Sequence, residues 1–193
     1  MTNGSASRTG AAGIMPAAEV IVWDPLVRIF HWSLVAAFFI AFVTGDEESL
    51  VHEWAGWIVL GLIAFRLVWG FAGSRHARFR DFVSSPATVA AYLRDLFRGR
   101  ARRYLGHNPA GGAMILLLLA TVGLAAVTGA LMTTDWGWGS KALEETHEAL
   151  ANIAIVLVGI HIAGVLVSSL LHGENLVRAM ITGRKPSGSG EPS

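Results

Sequence analysis

Four stretches of this chain, residues 26–45, 54–73, 111–132 and 149–171, each run for at least 20 residues with hardly a charge. At about 1.5 Å of rise per residue, each is long enough for a helix to cross a hydrocarbon layer about 30 Å thick. In lipid the backbone polar groups must bond within the protein, which leaves helices or closed barrels, and these runs lack the apolar–polar alternation of barrel strands. Four membrane-spanning helices follow. The chain is 53% hydrophobic and only 15% charged, whereas a soluble domain carries about 25% charged residues.

The few charges are segregated. Residues 74–107, between the second and third spans, hold Arg75, Arg78, Arg80, Arg94, Arg98, Arg100, Arg102 and Arg103 against Asp81 and Asp95. Arg8 and Arg28 flank the first span, and Arg178, Arg184 and Lys185 follow the fourth. The other two connections carry Asp46, Glu47, Glu48, Glu53, Asp135, Glu144, Glu145 and Glu148 against Lys141 alone. Lys and Arg mark the cytoplasmic side, so both termini are expected inside and the acidic loops outside. Trp23, Trp32 and Trp69 fall near the inner surface and Trp54, Trp57, Trp136 and Trp138 near the outer one, as interfacial anchors.

Within the basic loop, Ser85-Pro86 has the form of an N-cap with Pro at the first helical position. Val89, Tyr92, Leu93, Leu96 and Phe97 then recur at helical spacing, which predicts a short amphipathic helix on the inner membrane surface. A plain solvated basic loop is the alternative. No recognition motif accompanies the arginines, so a nucleic-acid role is set aside. The expected fold is all-α: a transmembrane four-helix bundle over residues 23–183, between disordered cytoplasmic tails at 1–22 and 184–193. Residues 1–22 lack the pattern of a cleaved signal peptide and are read as a tail ahead of an uncleaved first span.

The absence of cysteine excludes disulfides, thiolate metal sites, iron–sulfur clusters and covalent C-x-x-C-H haem attachment. Seven histidines remain. In the fourth span His147 and His161 are fourteen residues apart, about 21 Å and just under four turns, so they share one helix face at two depths. His52 opens the second span at the level of His147. His31 lies fourteen residues before the end of the first span and so matches the level of His161. Two facing pairs result, His52 with His147 and His31 with His161.

Zinc asks for three or four protein ligands, and neither carboxylate nor cysteine is available at the inner level. Haem b brings four equatorial nitrogens of its own and leaves two axial positions, one for each imidazole. Iron saturated in this way suits one-electron transfer. Arg66, inside the second span at the inner level, and Arg28, one turn before His31, are candidate partners for haem propionates. For Arg66 the alternative is snorkelling to the surface. Each histidine also has a bland reading, as a hydrogen-bonded packing residue or a proton relay. His76, His107 and His172 stay unassigned.

VWDPLVRIFHW around His31, HEWAGWIVLGLIAFRLVWGF from His52, RYLGHNPAGG before the third span and the closing H-x13-H together resemble the bacterial cytochrome b561 family, which includes the b-type cytochrome subunits of nickel–iron hydrogenases. The resemblance covers residues 22–185. It implies a four-helix cytochrome of the bacterial inner membrane with two non-covalent haems b, whose axial ligands fall on His31, His52, His147 and His161. It implies electron exchange between the quinone pool and a periplasmic redox partner, a c-type cytochrome or a hydrogenase. Some members act alone as quinone-linked superoxide oxidoreductases, a second functional reading. A haem-free proton or metal-ion transporter is a third. No motif locates a quinone site.

Overall fold

The computed structural model describes residues 19–45 and 49–187. The tails expected at 1–18 and 188–193, and the acidic residues 46–48, lie outside the described residues. The architecture is helical, with one small pair of strands. In chain order the elements are β1 (Glu19–Ile21), α1 (Pro25–Val43), α2 (Leu50–Ala72), α3 (Phe79–Phe82), α4 (Pro86–Phe97), α5 (Pro109–Met132), α6 (Lys141–His172), α7 (Leu176–Thr182) and β2 (Arg184–Pro186). A single 3-10 turn, Arg75–Ala77, precedes α3.

The helix starts are written locally. Asp24-Pro25, Ser85-Pro86 and Asn108-Pro109 each pair a capping side chain with a proline in the first turn. The caps accept from Val27 N at 2.9 Å, Thr88 N at 3.2 Å and Gly111 N at 2.7 Å. Each supplies one acceptor to a helix end that otherwise leaves four N–H groups unpaired. Ser49 caps α2 in the same way through His52 N, 3.2 Å away. Gly173 (φ +62°) and Gly183 (φ +81°) end α6 and α7 in the left-handed conformation that side-chain-bearing residues resist.

Among the described residues, α1, α2, α5 and α6 are the four helices long and apolar enough to cross a membrane. α6 begins eight residues before its apolar stretch because Lys141–Glu148 consists mostly of good helix formers, with Glu144 favourably placed in the first turn. Ala37, Val59, Ile63, Val122, Ala126 and Ala154 form the shared core, and Leu34, Phe38, Leu60, Leu62 and Leu119 pack around it. Ala37, Ala126 and Ala154 are small and let the backbones approach closely, which suits packing in lipid. Large apolar side chains such as Val43, Ile58, Leu124 and Leu170 point outward. α4, the helix predicted on the basic loop, forms where its Ser-Pro start places it and packs on α5.

The backbones run side by side from α1 to α2, from α2 to α5 and from α5 to α6. α6 meets α1 and α2 at isolated points at most among the described residues. α6 instead meets them through side chains, with Ala154 buried in the core shared with Ala37, Val59 and Ile63.

Residues 19–22 and 184–186, read in the sequence as parts of disordered tails, are ordered. β1 and β2 pair antiparallel, with Glu19 opposite Pro186, Val20 opposite Lys185 and Ile21 opposite Arg184. Val22 N and Trp23 N then donate to Gly183 O at 2.8 and 3.1 Å. The clasp forms because Val22 and Trp23 bury themselves against Ala179 of α7. Three-residue strands in polar, proline-containing segments leave no periodic signal to read.

Candidate functional site

His52 on α2 and His147 on α6 come together inside the bundle. Their ring centroids are 5.9 Å apart, with the planes at 89°. Each ring is aimed by its Nδ1: that of His52 lies 2.8 Å from Ala41 O on α1, and that of His147 lies 2.9 Å from Ala125 O on α5. A carbonyl only accepts, so both Nδ1 atoms carry the proton, and Nε2 is left as the basic nitrogen. Thr128 Oγ1 stands 3.3 Å from the same His147 Nδ1. Such outer contacts orient metal-binding imidazoles and raise their basicity.

Glycines make room for these rings. A Cβ on Gly129 would lie 3.0 Å from His147 Cε1, and one on Gly45 would lie 3.6 Å from His52 Cε1. Position 129 is thus the tighter of the two.

The two histidines expected to pair at the other level, His31 and His161, lie within electrostatic range of each other. His31 Nδ1 is buried and has no hydrogen-bond partner among the described residues. The edge of the neighbouring Trp32 ring closes on His31, with centroids 5.0 Å apart.

Arg66 has not snorkelled. It is only 3% exposed, its guanidinium rests over the Phe79 ring at 5.1 Å, and its Nη1 has no hydrogen-bond partner among the described residues. Asp24 is near enough to act on it electrostatically. Arg28 is turned to a different task, since its Nη1 donates to Ile181 O at 2.5 Å, one of the last carbonyls of α7. Its Nε is buried without a partner.

The arginine-rich end holds further buried polar groups that the sequence did not single out. His107 is wedged between Trp23 and Phe82, at centroid distances of 4.5 and 4.9 Å. Burial, and then the positive charges of Arg66 and Lys185, push its pKa down to about 3, so it is a neutral imidazole in this fold. Lys185 of β2 is 3% exposed, with Glu174 Oε1 at 3.5 Å and Tyr104 O at 3.4 Å. Arg103 Nη2 reaches the other oxygen of Glu174 at 3.2 Å. Asp24 accepts from Val27 N, from Trp69 Nε1 at 3.4 Å and from Ser74 Oγ. Burial raises its pKa, but the hydrogen bonds from Ser74, Val27 and Trp69 outweigh that and hold it below the usual carboxylate range. His107 was visible within RYLGHNPAGG. Nothing in the local sequence, however, says that the tail strand would carry Lys185 to the same end.

Among the described residues no three metal-binding side chains of the His, Cys, Asp and Glu types converge. Two imidazoles do not complete a metal's coordination by themselves. They do complete that of a metal whose other ligands come with a porphyrin. Two metal–nitrogen bonds of about 2 Å, with a ring radius beyond each, set the centroids roughly 6 Å apart, the spacing found for His52 and His147. The donor chemistry therefore fits haem.

Facing imidazoles carried on membrane helices and fixed by carbonyls of neighbouring helices define a class of protein, the b-type membrane cytochromes. The prokaryotic cytochrome b561 family matches residues 22–183, most of the chain, and the chain belongs to that family. A probable Ni/Fe-hydrogenase B-type cytochrome subunit from Rhodobacter capsulatus is 23% identical, across 94% of this chain and 87% of its own length. A protein of the same description from Cupriavidus necator is 22% identical, across 84% and 85%. The family assigns the chain a haem b cofactor and a role in membrane electron transfer.

Proposed function

We propose that this protein carries electrons across the bacterial inner membrane between the quinone pool and a periplasmic redox protein. His52 and His147 hold one haem b and His31 and His161 a second. The haems would supply reversible one-electron exchange at iron. The observation that carries this reading is the His52–His147 pair, with its ring spacing and its two Nδ1 contacts to backbone carbonyls.

The remaining residues take supporting roles. Arg66, with its unpartnered Nη1, gives the propionates of the second haem a buried cation, and Arg28 stands nearer the surface as further cationic company. The arginine-rich end faces the cytoplasm with both termini, as the distribution of Lys and Arg supports. The opposite end presents Glu53, Asp135, Glu144, Glu145 and Glu148, together with the exposed Trp136 and Trp138, to the periplasmic partner. A basic c-type cytochrome complements that surface. The names of the two relatives support a hydrogenase as the other partner class.

Purified protein should contain two haems per chain, with a b-type reduced-minus-oxidised spectrum. Quinol should reduce both, and a c-type cytochrome or hydrogenase should exchange electrons with them. A ratio of one haem or none would overturn the two-haem reading. Two haems inert to quinol would overturn the quinone link.

A further inference from the structure

We infer that the turn after α2 is a binding site for an anionic phospholipid. Arg75, Arg78, Arg80 and Asp81 line a cavity of about 450 Å³ at the arginine-rich end of that helix. Its one carboxylate is already engaged: Asp81 Oδ2 lies 2.8 Å from His76 Nδ1 and Oδ1 lies 3.8 Å from Arg75 Nε. Arg78 is pinned by its Nε, which donates to Gly73 O at 2.6 Å, so its guanidinium is held in place ahead of any ligand. Arg80 has no ion-pair partner among the described residues. The cavity is left with an excess of positive charge on planar groups suited to paired hydrogen bonds with phosphate oxygens.

A free anion would need nothing beyond these arginines, but exposed apolar side chains stand on the helix that leads into this turn. Val68 and Phe71, 67% and 78% exposed, lie on one face of the last turns of α2. Phe71 meets Phe79 edge to face at 5.3 Å, and Phe79 sits in sequence between Arg78 and Arg80. A charged pocket at the top of an exposed apolar strip matches a ligand with a phosphodiester head and acyl chains. Basic pockets at this depth bind anionic headgroups in other membrane proteins.

The test is native mass spectrometry of the detergent-solubilised holoprotein with added phosphatidylglycerol, phosphatidylcholine or inorganic phosphate. Phosphatidylglycerol adducts should survive activation that strips phosphatidylcholine. Arg80→Gln, which removes no intramolecular contact and so spares the fold, should lower that preference roughly fivefold. The Arg75→Gln, Arg78→Gln, Arg80→Gln triple variant should abolish it, with circular dichroism reporting its helicity. Arg94→Gln with Arg98→Gln on α4 should leave it unchanged. Equal retention of the two lipids, an equal loss in the α4 variant, or displacement of the lipid by millimolar phosphate would each overturn the assignment, the last in favour of a free-anion site.

Discussion

The His52 and His147 rings, 5.9 Å apart, are each steered by a carbonyl from a helix that carries neither of them, Ala41 on α1 and Ala125 on α5. All four spanning helices thus contribute to one level of the bundle. Each Nδ1 is committed to its carbonyl, which leaves Nε2 as the candidate metal-binding nitrogen.

That commitment makes the two levels separable. In the proposed two-haem arrangement, His147→Ala would remove one of the two imidazoles at its level and none at the other. The haem-to-protein ratio should fall from two to one, and one of the two midpoint potentials should vanish from a redox titration. His161→Ala should remove the other component. Loss of both haems in either variant, with helicity retained, would show that the levels are not independent.

Arg66 tests the electrostatics of the second level. A buried guanidinium beside the haem favours the reduced, less positive iron, and its removal favours the oxidised form. Arg66→Gln should therefore lower one midpoint potential, by about 60 mV if the change amounts to tenfold in the one-electron equilibrium. Arg66→Lys should restore part of the shift. If the arginine served only to pack on Phe79, 5.1 Å away, the potential would stay in place while stability fell.

The closeness of His52 and His147 was legible because it needs only helical rise and the ends of apolar runs, arithmetic that tertiary packing does not disturb. The caps were legible for a similar reason: Asp24, Ser85 and Asn108 act on N–H groups three residues away. What escaped depends on contacts distant in sequence. Arg28 donates to Ile181, 153 positions away, and Lys185 reaches the carbonyl of Tyr104, 81 positions away. The snorkelling alternative for Arg66 was equally open from sequence alone, because the Phe79 ring that receives it belongs to the loop and not to a span.

His107 should make the protein acid-sensitive. Its pKa in the fold is about 3, against 6.5 for the ordinary imidazole, so the unfolded chain takes up the proton first. The stability contributed by keeping this ring neutral is fully present above pH 6.5 and drains away as the pH falls towards 3. His107→Phe keeps an aromatic ring between Trp23 and Phe82 and removes the titration. Thermal haem release followed between pH 7 and 4 should be less steep with pH in this variant than in the wild type. Parallel curves would mean that His107 is not buried neutral.

Glu174 decides whether the terminal clasp is held electrostatically. Its side chain is 6% exposed and faces two cations, Arg103 at 3.2 Å and Lys185 at 3.5 Å. Removing one partner of a fully buried pair costs roughly 3–5 kcal/mol. Glu174→Gln leaves an amide oxygen that still accepts a hydrogen bond, so a smaller loss of about 2 kcal/mol is expected. Local rather than global opening should carry much of it, because Arg103 also binds Pro186 O at 2.6 Å and Lys185 sits in the strand opposite Val20. Limited trypsinolysis should then cut after Arg184 well before the spanning helices are lost, the Lys185–Pro186 bond being resistant. Lys185→Met added to Glu174→Gln should slow that cleavage after Arg184, since the buried ammonium that lacked its carboxylate is gone. Unchanged protection in Glu174→Gln would assign the clasp to the apolar packing of Val22 and Trp23 on Ala179.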